Sequence, residues 1–265
     1  MPSGSAPSGV LVGAGDIGYC GSPGVEATAR LVDGIAGTVF TAGDNAYMNG
    51  TAEEFRRCYD PSWGRHRSRT RPVPGNHDYS GGGGPYFDYF GANAGPAGAG
   101  YYGYTVGSWY VIALNSEIPS GLGTRQMEWL RSELSTHRTL CSAVYWHRPL
   151  FSSGPHGENP DMRDVWRTLY EFDVDIVING HDHTYERFAP QDPVGLRNAS
   201  RGIREFVVGT GGAPLYEFPF VRPNSEVRIA AWGVAVFTLS AGGYQWEFVP
   251  ADGMGARDSG AGTCH

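Results

Sequence analysis

The stretch Thr38-Val39-Phe40-Thr41-Ala42-Gly43-Asp44-Asn45-Ala46-Tyr47 carries an apolar, β-type run straight into Gly-Asp. Gly-Asp is an ordinary way to turn the chain at a strand end. The same form occurs earlier, where Val10-Leu11-Val12-Gly13-Ala14 runs into Gly15-Asp16. Between the two runs, Ser22 and Pro23 mark a helix start. Val25, Ala29, Val32 and Ile35 then give that helix one apolar face. Strand–helix alternation of this kind implies an α/β sheet.

The alternation continues along the chain. Thr51 and Glu54 form a capping-box signal for a helix carrying Phe55 and Cys58. Residues 101–106 and 109–114 read as a β-pair around Gly107-Ser108. Met127, Leu130 and Leu134 mark a helix opened near Thr124, and Ala143-Val144-Tyr145-Trp146 a strand ending at His147. Asn159-Pro160 starts a helix with the face Met162, Val165, Trp166 and Leu169, and residues 174–178 form a strand ending at Asn179-Gly180. Residues 205–208, 227–230, 234–239 and 244–249 are mostly β and suggest a second sheet. The glycine-rich residues 80–100 read as a long ordered loop. No linker or repeat interrupts this, so the reading is one domain over residues 10–265, after a flexible N-terminal segment of residues 1–9.

At 265 residues the chain can bury a substantial core. Forty glycines, eighteen prolines and 18% charged residues imply a compact fold with many turns. The net charge is −7, and the one basic cluster, residues 65–71, reads as a solvated loop. Nothing therefore indicates a nucleic-acid partner. No apolar run has membrane-spanning length, so no membrane partner is indicated either. The first nine residues lack a charged n-region and an apolar h-region, so they do not read as a signal peptide but as a trimmed or a mature N-terminus. Cys20, Cys58, Cys141 and Cys264 lie far apart without a CxxC. That spacing argues against a zinc ribbon; it permits two disulfides or four reduced, buried thiols.

Metal-binding side-chain types recur where these runs end: Asp16, Asp44, Asn76-His77-Asp78, His147, and His181 with His183. In open α/β sheets, sites gather at the carboxyl ends of strands. Oxygen and imidazole donors without thiolate suit Zn, Fe, Mn or Ni. The set is too large for one tetrahedral ion, and suits two ions sharing a carboxylate.

Five blocks in order carry a family resemblance: Gly15-Asp16-Ile17-Gly18, Gly43-Asp44-Asn45-Ala46-Tyr47, Gly75-Asn76-His77-Asp78, Val144-Tyr145-Trp146-His147 and Gly180-His181-Asp182-His183. This pattern resembles the dinuclear metallophosphoesterases, the calcineurin-like superfamily, and within them the purple acid phosphatases. The resemblance implies a single-domain β-sandwich of two mixed sheets flanked by helices, a four-layer α/β/β/α arrangement. It implies that Asp16, Tyr47 and His183 hold a first ion together with Asp44. Asp44 would bridge to a second ion completed by Asn76, His147 and His181.

Where many superfamily members have DxH, this chain has Asp16-Ile17-Gly18, so Tyr47 would supply the missing donor. A phenolate favours a trivalent ion, which implies Fe(III) with Fe(II), Zn or Mn beside it. His77 would contact the phosphate and leaving group. His156, nine residues after His147, would be a substrate-side proton donor or a loop histidine. His66, His137 and His265 read as surface residues, and Asp78, Asp182 and Arg187 as supporting ones.

Cys20 and Cys58 follow the loops after two adjacent strands, which favours Cys20–Cys58 and leaves Cys141–Cys264 to tie down the C-terminus. Only fourteen residues precede Gly15, so the expected form is the compact one, without the N-terminal β-domain of plant-type members. The implied activity is phosphate monoester hydrolysis by water attacking phosphorus in line, on a small-molecule ester, in an extracytoplasmic setting. A phosphodiesterase or nucleotide hydrolase, and a non-catalytic metal- or phosphate-binding protein, are the other readings. The sequence does not fix an oligomeric state.

Overall fold

The structure is a computed structural model and describes residues 8–251 and 255–265. Its strands are β1 (Gly9–Ala14), β2 (Thr38–Ala42), β3 (Thr70–Val73), β4 (Tyr102–Val106), β5 (Trp109–Ala113), β6 (Ser142–Tyr145) and β7 (Ile176–Asn179). They continue with β8 (Tyr185–Phe188), β9 (Arg204–Val208), β10 (Ser225–Ile229), β11 (Gly233–Ser240), β12 (Gly243–Pro250) and β13 (Asp258–Thr263). Two mixed sheets result, ordered β13-β12-β11-β1-β2-β3 and β10-β8-β9-β7-β6-β5-β4. β1, β2 and β3 run parallel in the first, and β5, β6, β7 and β9 in the second.

Side-chain alternation explains how the layers stack. Val111, Ala113, Ala143, Tyr145, Ile176 and Ile178 pack in one core with Val12, Phe40 and Phe237 of the other sheet. Their neighbours Tyr110, Ile112, Val144 and Val177 join a second core with Leu130 and Trp166. Successive strand residues face opposite sides, so strands buried on both faces read as continuous apolar runs. Helix α1 (Pro23–Asp33) packs on β11. It starts as expected, with the Ser22 hydroxyl accepting from Gly24 N at 3.2 Å. The short α2 (Ala52–Glu54) has its capping box and continues as a π-turn over Phe55–Tyr59. After α3 (Asn76–Ser80) and α4 (Gly84–Phe90) come α5 (Arg125–Thr136) and α6 (Arg163–Glu171), which carry Leu130 and Trp166 against the seven-stranded sheet. The result is the expected pair of mixed sheets flanked by helices in one domain.

Several expectations need correction. Residues 80–100 are not simply a loop, because they contain α4. Tyr86 and Phe90, four apart, bury one face of it, and the Tyr86 hydroxyl donates to Pro72 O at 3.1 Å. Residues 65–71 are not a solvated loop; they finish a 3-10 segment, Trp63–Arg69, and enter β3. Arg65 pairs with Glu26 and Asp33, while the Arg69 guanidinium donates to the carbonyls of Val32, Ile35 and Gly37 at the end of α1. Val32 O also accepts from Ile35 N at 3.2 Å, and Ile35 and Gly37 lie just past the helix, so the cation sits at the negative end of α1.

His66 is buried, 3.1 Å from Asp33, and His265 is partly buried, 3.3 Å from Asp175. His137 is exposed, with its ring stacked 4.2 Å from that of Tyr110. β1 starts at Gly9, one residue before the expected domain start; residues 1–7 of the expected N-terminal segment lie outside the described residues. Both disulfides, Cys20–Cys58 and Cys141–Cys264, are present.

Glu205 on β9 is fully buried, accepting from Phe151 N and Gln191 Nε2 at 3.4 Å each. Burial first, then Glu186 and Glu158, hold its carboxyl well above the usual range. The folded protein thus binds this proton more tightly than the unfolded chain. The stabilisation is complete below the unfolded value of 4.5 and is lost as pH rises through the raised folded one. Glu205→Gln should match wild type at about pH 4 and exceed it by at least about 1 kcal/mol at about pH 8, read from urea unfolding midpoints. An unchanged difference between the two pH values would contradict this.

Candidate metal centre

The parallel strands deliver polar residues to a common edge. β1 leads to Asp16, β2 to Asp44, β3 to Asn76, β6 to His147 and β7 to His181. At this edge the two sheets are joined directly, by Gly15 N to Val208 O and Gly211 N to Gly15 O, each 2.8 Å. Asp16, Asp44 and His181 have φ of 60°, 49° and 73°. Non-glycine residues hold such left-handed conformations where surrounding contacts impose them. Here Asp16 N donates to Gly43 O at 2.9 Å and His181 N to Asp16 Oδ2 at 2.7 Å. Gly75 permits a close approach: a Cβ there would lie 2.2 Å from Asp44 Oδ1. That oxygen instead accepts from His77 N at 2.8 Å.

The seven expected metal-site residues form two groups that meet at one atom. In the first, the Tyr47 hydroxyl lies 2.7 Å from Asp16 Oδ1 and 3.1 Å from His183 Nε2. In the second, His147 Nε2 lies 3.1 Å from Asn76 Oδ1 and 3.2 Å from His181 Nδ1. Asp44 Oδ2 is 3.1 Å from the Tyr47 hydroxyl and 3.2 Å from His147 Nε2, so it belongs to both. Asp44, His147 and His181 by themselves form a candidate metal site, with ligand atoms all within 4.8 Å of one another.

The chemistry of this donor set fits a cation. His147 Nδ1 lies 2.9 Å from Ala42 O and His183 Nδ1 2.7 Å from Pro214 O. A carbonyl only accepts, so both Nδ1 atoms carry protons and both neutral rings present Nε2 as a lone pair. Such outer contacts commonly fix the tautomer of a metal-binding histidine. The lone pairs face carboxylate and amide oxygens, which is repulsive unless a proton or a metal ion lies between them. With protons alone, burial works against the His147 cation, but Asp44 and Asp16 override it and push the pKa up to about 10. The Tyr47 phenol is raised well above its usual range, by burial and then by Asp16 and Asp44. Its ionisation in this setting requires a strong positive charge nearby.

The two expected catalytic histidines lie at the rim. His77 packs its ring 4.5 Å from that of Tyr47, and its Nδ1 is 2.7 Å from Met48 O, which leaves Nε2 free, 3.9 Å from Asp44 Oδ2. His156 is exposed, with its ring 4.2 Å from that of His181. Sequence reading missed Tyr216, whose ring stacks on His183 at 4.1 Å and whose N–H donates to His183 O at 3.1 Å. A signal existed: β9 runs into Gly209-Thr210-Gly211-Gly212, a strand ending in glycine like the others. Arg148 was also missed; its Nη1 lies 3.4 Å from His181 Nε2 while Glu117 holds its Nε at 3.0 Å.

The family model described as calcineurin-like phosphoesterase matches residues 10–185. An uncharacterised protein of Mycobacterium tuberculosis is 28% identical over 70% of this chain and 44% of its own length. Purple acid phosphatase 21 of Arabidopsis thaliana is 34% identical over 50% of this chain and 32% of its own. This chain thus spans less than half the length of these curated relatives. A purple acid phosphatase from yellow lupin (Lupinus luteus) seeds shares the fold, with a TM-score of 0.80 over 98% of this chain and 54% of that one at 22% identity.

Metal-free protein should bind zinc in equilibrium dialysis. At about 100 times the dissociation constant, zinc should stabilise it by about 2.7 kcal/mol. His147→Ala should abolish most of that gain. A wild-type urea midpoint insensitive to zinc would contradict a cation site here.

Proposed function

Because this chain belongs to the calcineurin-like phosphoesterase family and is purple acid phosphatase-like, we propose that it hydrolyses phosphate monoesters at a dinuclear metal centre. The observation that carries this is the shared position of Asp44 Oδ2 between two donor groups. Asp16, Tyr47, His183 and Asp44 hold the first ion; Asn76, His147, His181 and Asp44 hold the second. Phenolate from Tyr47 suits Fe(III) in the first position, with Fe(II), Zn or Mn in the second. When bound, the ions polarise the phosphoryl oxygens and activate water for in-line attack on phosphorus.

The chain's own groups do the rest. His77 is anchored by its peptide N–H on Asp44 and by Nδ1 on the Met48 carbonyl, so its free Nε2 serves the phosphoryl oxygens as negative charge builds there. His156 supplies a proton to the leaving oxygen. Residues 10–265 act as the catalytic domain, on small-molecule phosphate esters. Two disulfides support an extracytoplasmic, oxidising setting. Among the described residues, no helix is long and apolar enough to cross a membrane.

Metal-loaded protein should hydrolyse an aryl phosphate monoester faster than the matching bis-aryl diester. His77→Ala should keep both ions yet lose about 100-fold in kcat. Faster diester cleavage would contradict the monoester assignment, and bound metal with no turnover on either ester would contradict the enzyme reading. Loss of an ion in His77→Ala would contradict its assigned role.

A further inference from the structure

We propose that Asp182 is a positioning residue, holding His156 so that its Nε2 is presented to the leaving group. This rests on the reading of His156 as the proton donor. Asp182 sits between His181 and His183 in sequence and is fully buried. Its Oδ1 lies 3.0 Å from the peptide N of His156 and 3.0 Å from its Nδ1. Its Oδ2 takes the Ser152 hydroxyl, and Ser152 Oγ in turn accepts from Gly154 N at 3.0 Å. One carboxylate therefore organises the whole turn from Ser152 to His156.

Two further features argue that the turn is built around this carboxylate. A Cβ at Gly154 would lie 2.2 Å from Asp182 Cγ, so the backbone passes where only glycine fits. From the strand that follows, buried Glu186 accepts from Ser153 N at 2.8 Å and also takes the Ser153 hydroxyl. The turn is thus suspended from two buried carboxylates on either side of His183.

The consequence falls on His156. Its side chain is 42% exposed, and an untethered loop histidine there would sample several rotamers. With Nδ1 engaged by Asp182, Nε2 is the ring's free nitrogen, on a ring held 4.2 Å from that of His181 and 5.5 Å from that of Tyr216. A proton donor displaced by an ångström loses much of its effect, so the tether matters for rate.

The test compares Asp182→Ala, Asp182→Asn and His156→Ala on an alkyl phosphate and on p-nitrophenyl phosphate. Metal content and amide exchange over residues 152–157 are read in parallel. Asp182→Ala should keep both ions, lose protection of the His156 amide, and lower kcat on the alkyl ester about 10- to 100-fold. The nitrophenyl ester, whose leaving group needs no proton, should change less than about 3-fold. Asp182→Asn keeps an acceptor for His156 and a donor for Ser152, and should restore most of the alkyl rate. In a His156→Ala background, Asp182→Ala should cost nothing more.

Equal losses on both esters, or additive losses in the double variant, would overturn the proposal. If Asp182→Ala fails to fold or to hold metal, Gly154→Ala displaces the turn while leaving the carboxylate in place. It should give the same split between esters; the absence of that split would overturn the proposal. A silent His156→Ala would instead overturn the donor reading on which the proposal stands.

Discussion

Asp44 imposes the constraint on which the rest of the site depends. One of its oxygens meets both a tyrosine hydroxyl and a histidine nitrogen, and the other takes the His77 peptide. A buried carboxylate in that position, with Asp16 nearby, stands among electron-rich atoms that repel one another unless a proton or a cation lies between them. The fold holds them there by closing the two sheets on each other at Gly15, Val208 and Gly211. The backbone at Asp16, Asp44 and His181 accepts left-handed geometry to aim the side chains inward. In the proposed holoprotein, cations relieve the repulsion that this packing creates.

The outer contacts follow from the same demand. Two backbone carbonyls fix the protons of His147 and His183 on Nδ1, so that the lone pairs converge on the centre. Tyr216 closes over His183, and Asp78 gathers the amides of Gly75 and Asn45 beneath the Asp44 turn. Burial, first of all, and Asp44 push the Asp78 carboxyl up to about 7. These residues make the site rigid at its base. The rim is made of turns, and there substrate contacts and proton delivery belong.

Much of this was legible because each strand that feeds the site ends in a short polar block. Asp16, Asp44, Asn76, His147, His181 and His183 each follow a strand or its first turn, so local pattern and chemistry coincide. Tyr47 was legible by substitution, since Gly18 stands where an imidazole could have been. β3 was hidden by its basic flank and Pro72, and β13, Asp-Ser-Gly-Ala-Gly-Thr, has almost no apolar residue. β13 exists because β12 supplies its hydrogen bonds and Trp246 and Tyr244 cover its glycines. The glycines after β9 marked the loop that carries Tyr216, but its contact with His183 and the Asp182 tether were not legible, for a similar reason. Their partners lie 26 residues or more away, and contact across that distance is set by the sheets, not by local pattern.

In the proposed holoprotein, Asp44 joins two ions and Tyr47 binds one of them as phenolate. Metal analysis and a visible spectrum of protein purified without chelator test it most directly. The expected result is about two ions per chain, one of them iron, with a broad visible band that disappears in Tyr47→Phe. A fully active, colourless protein carrying only divalent ions, or a single ion per chain, would contradict the account.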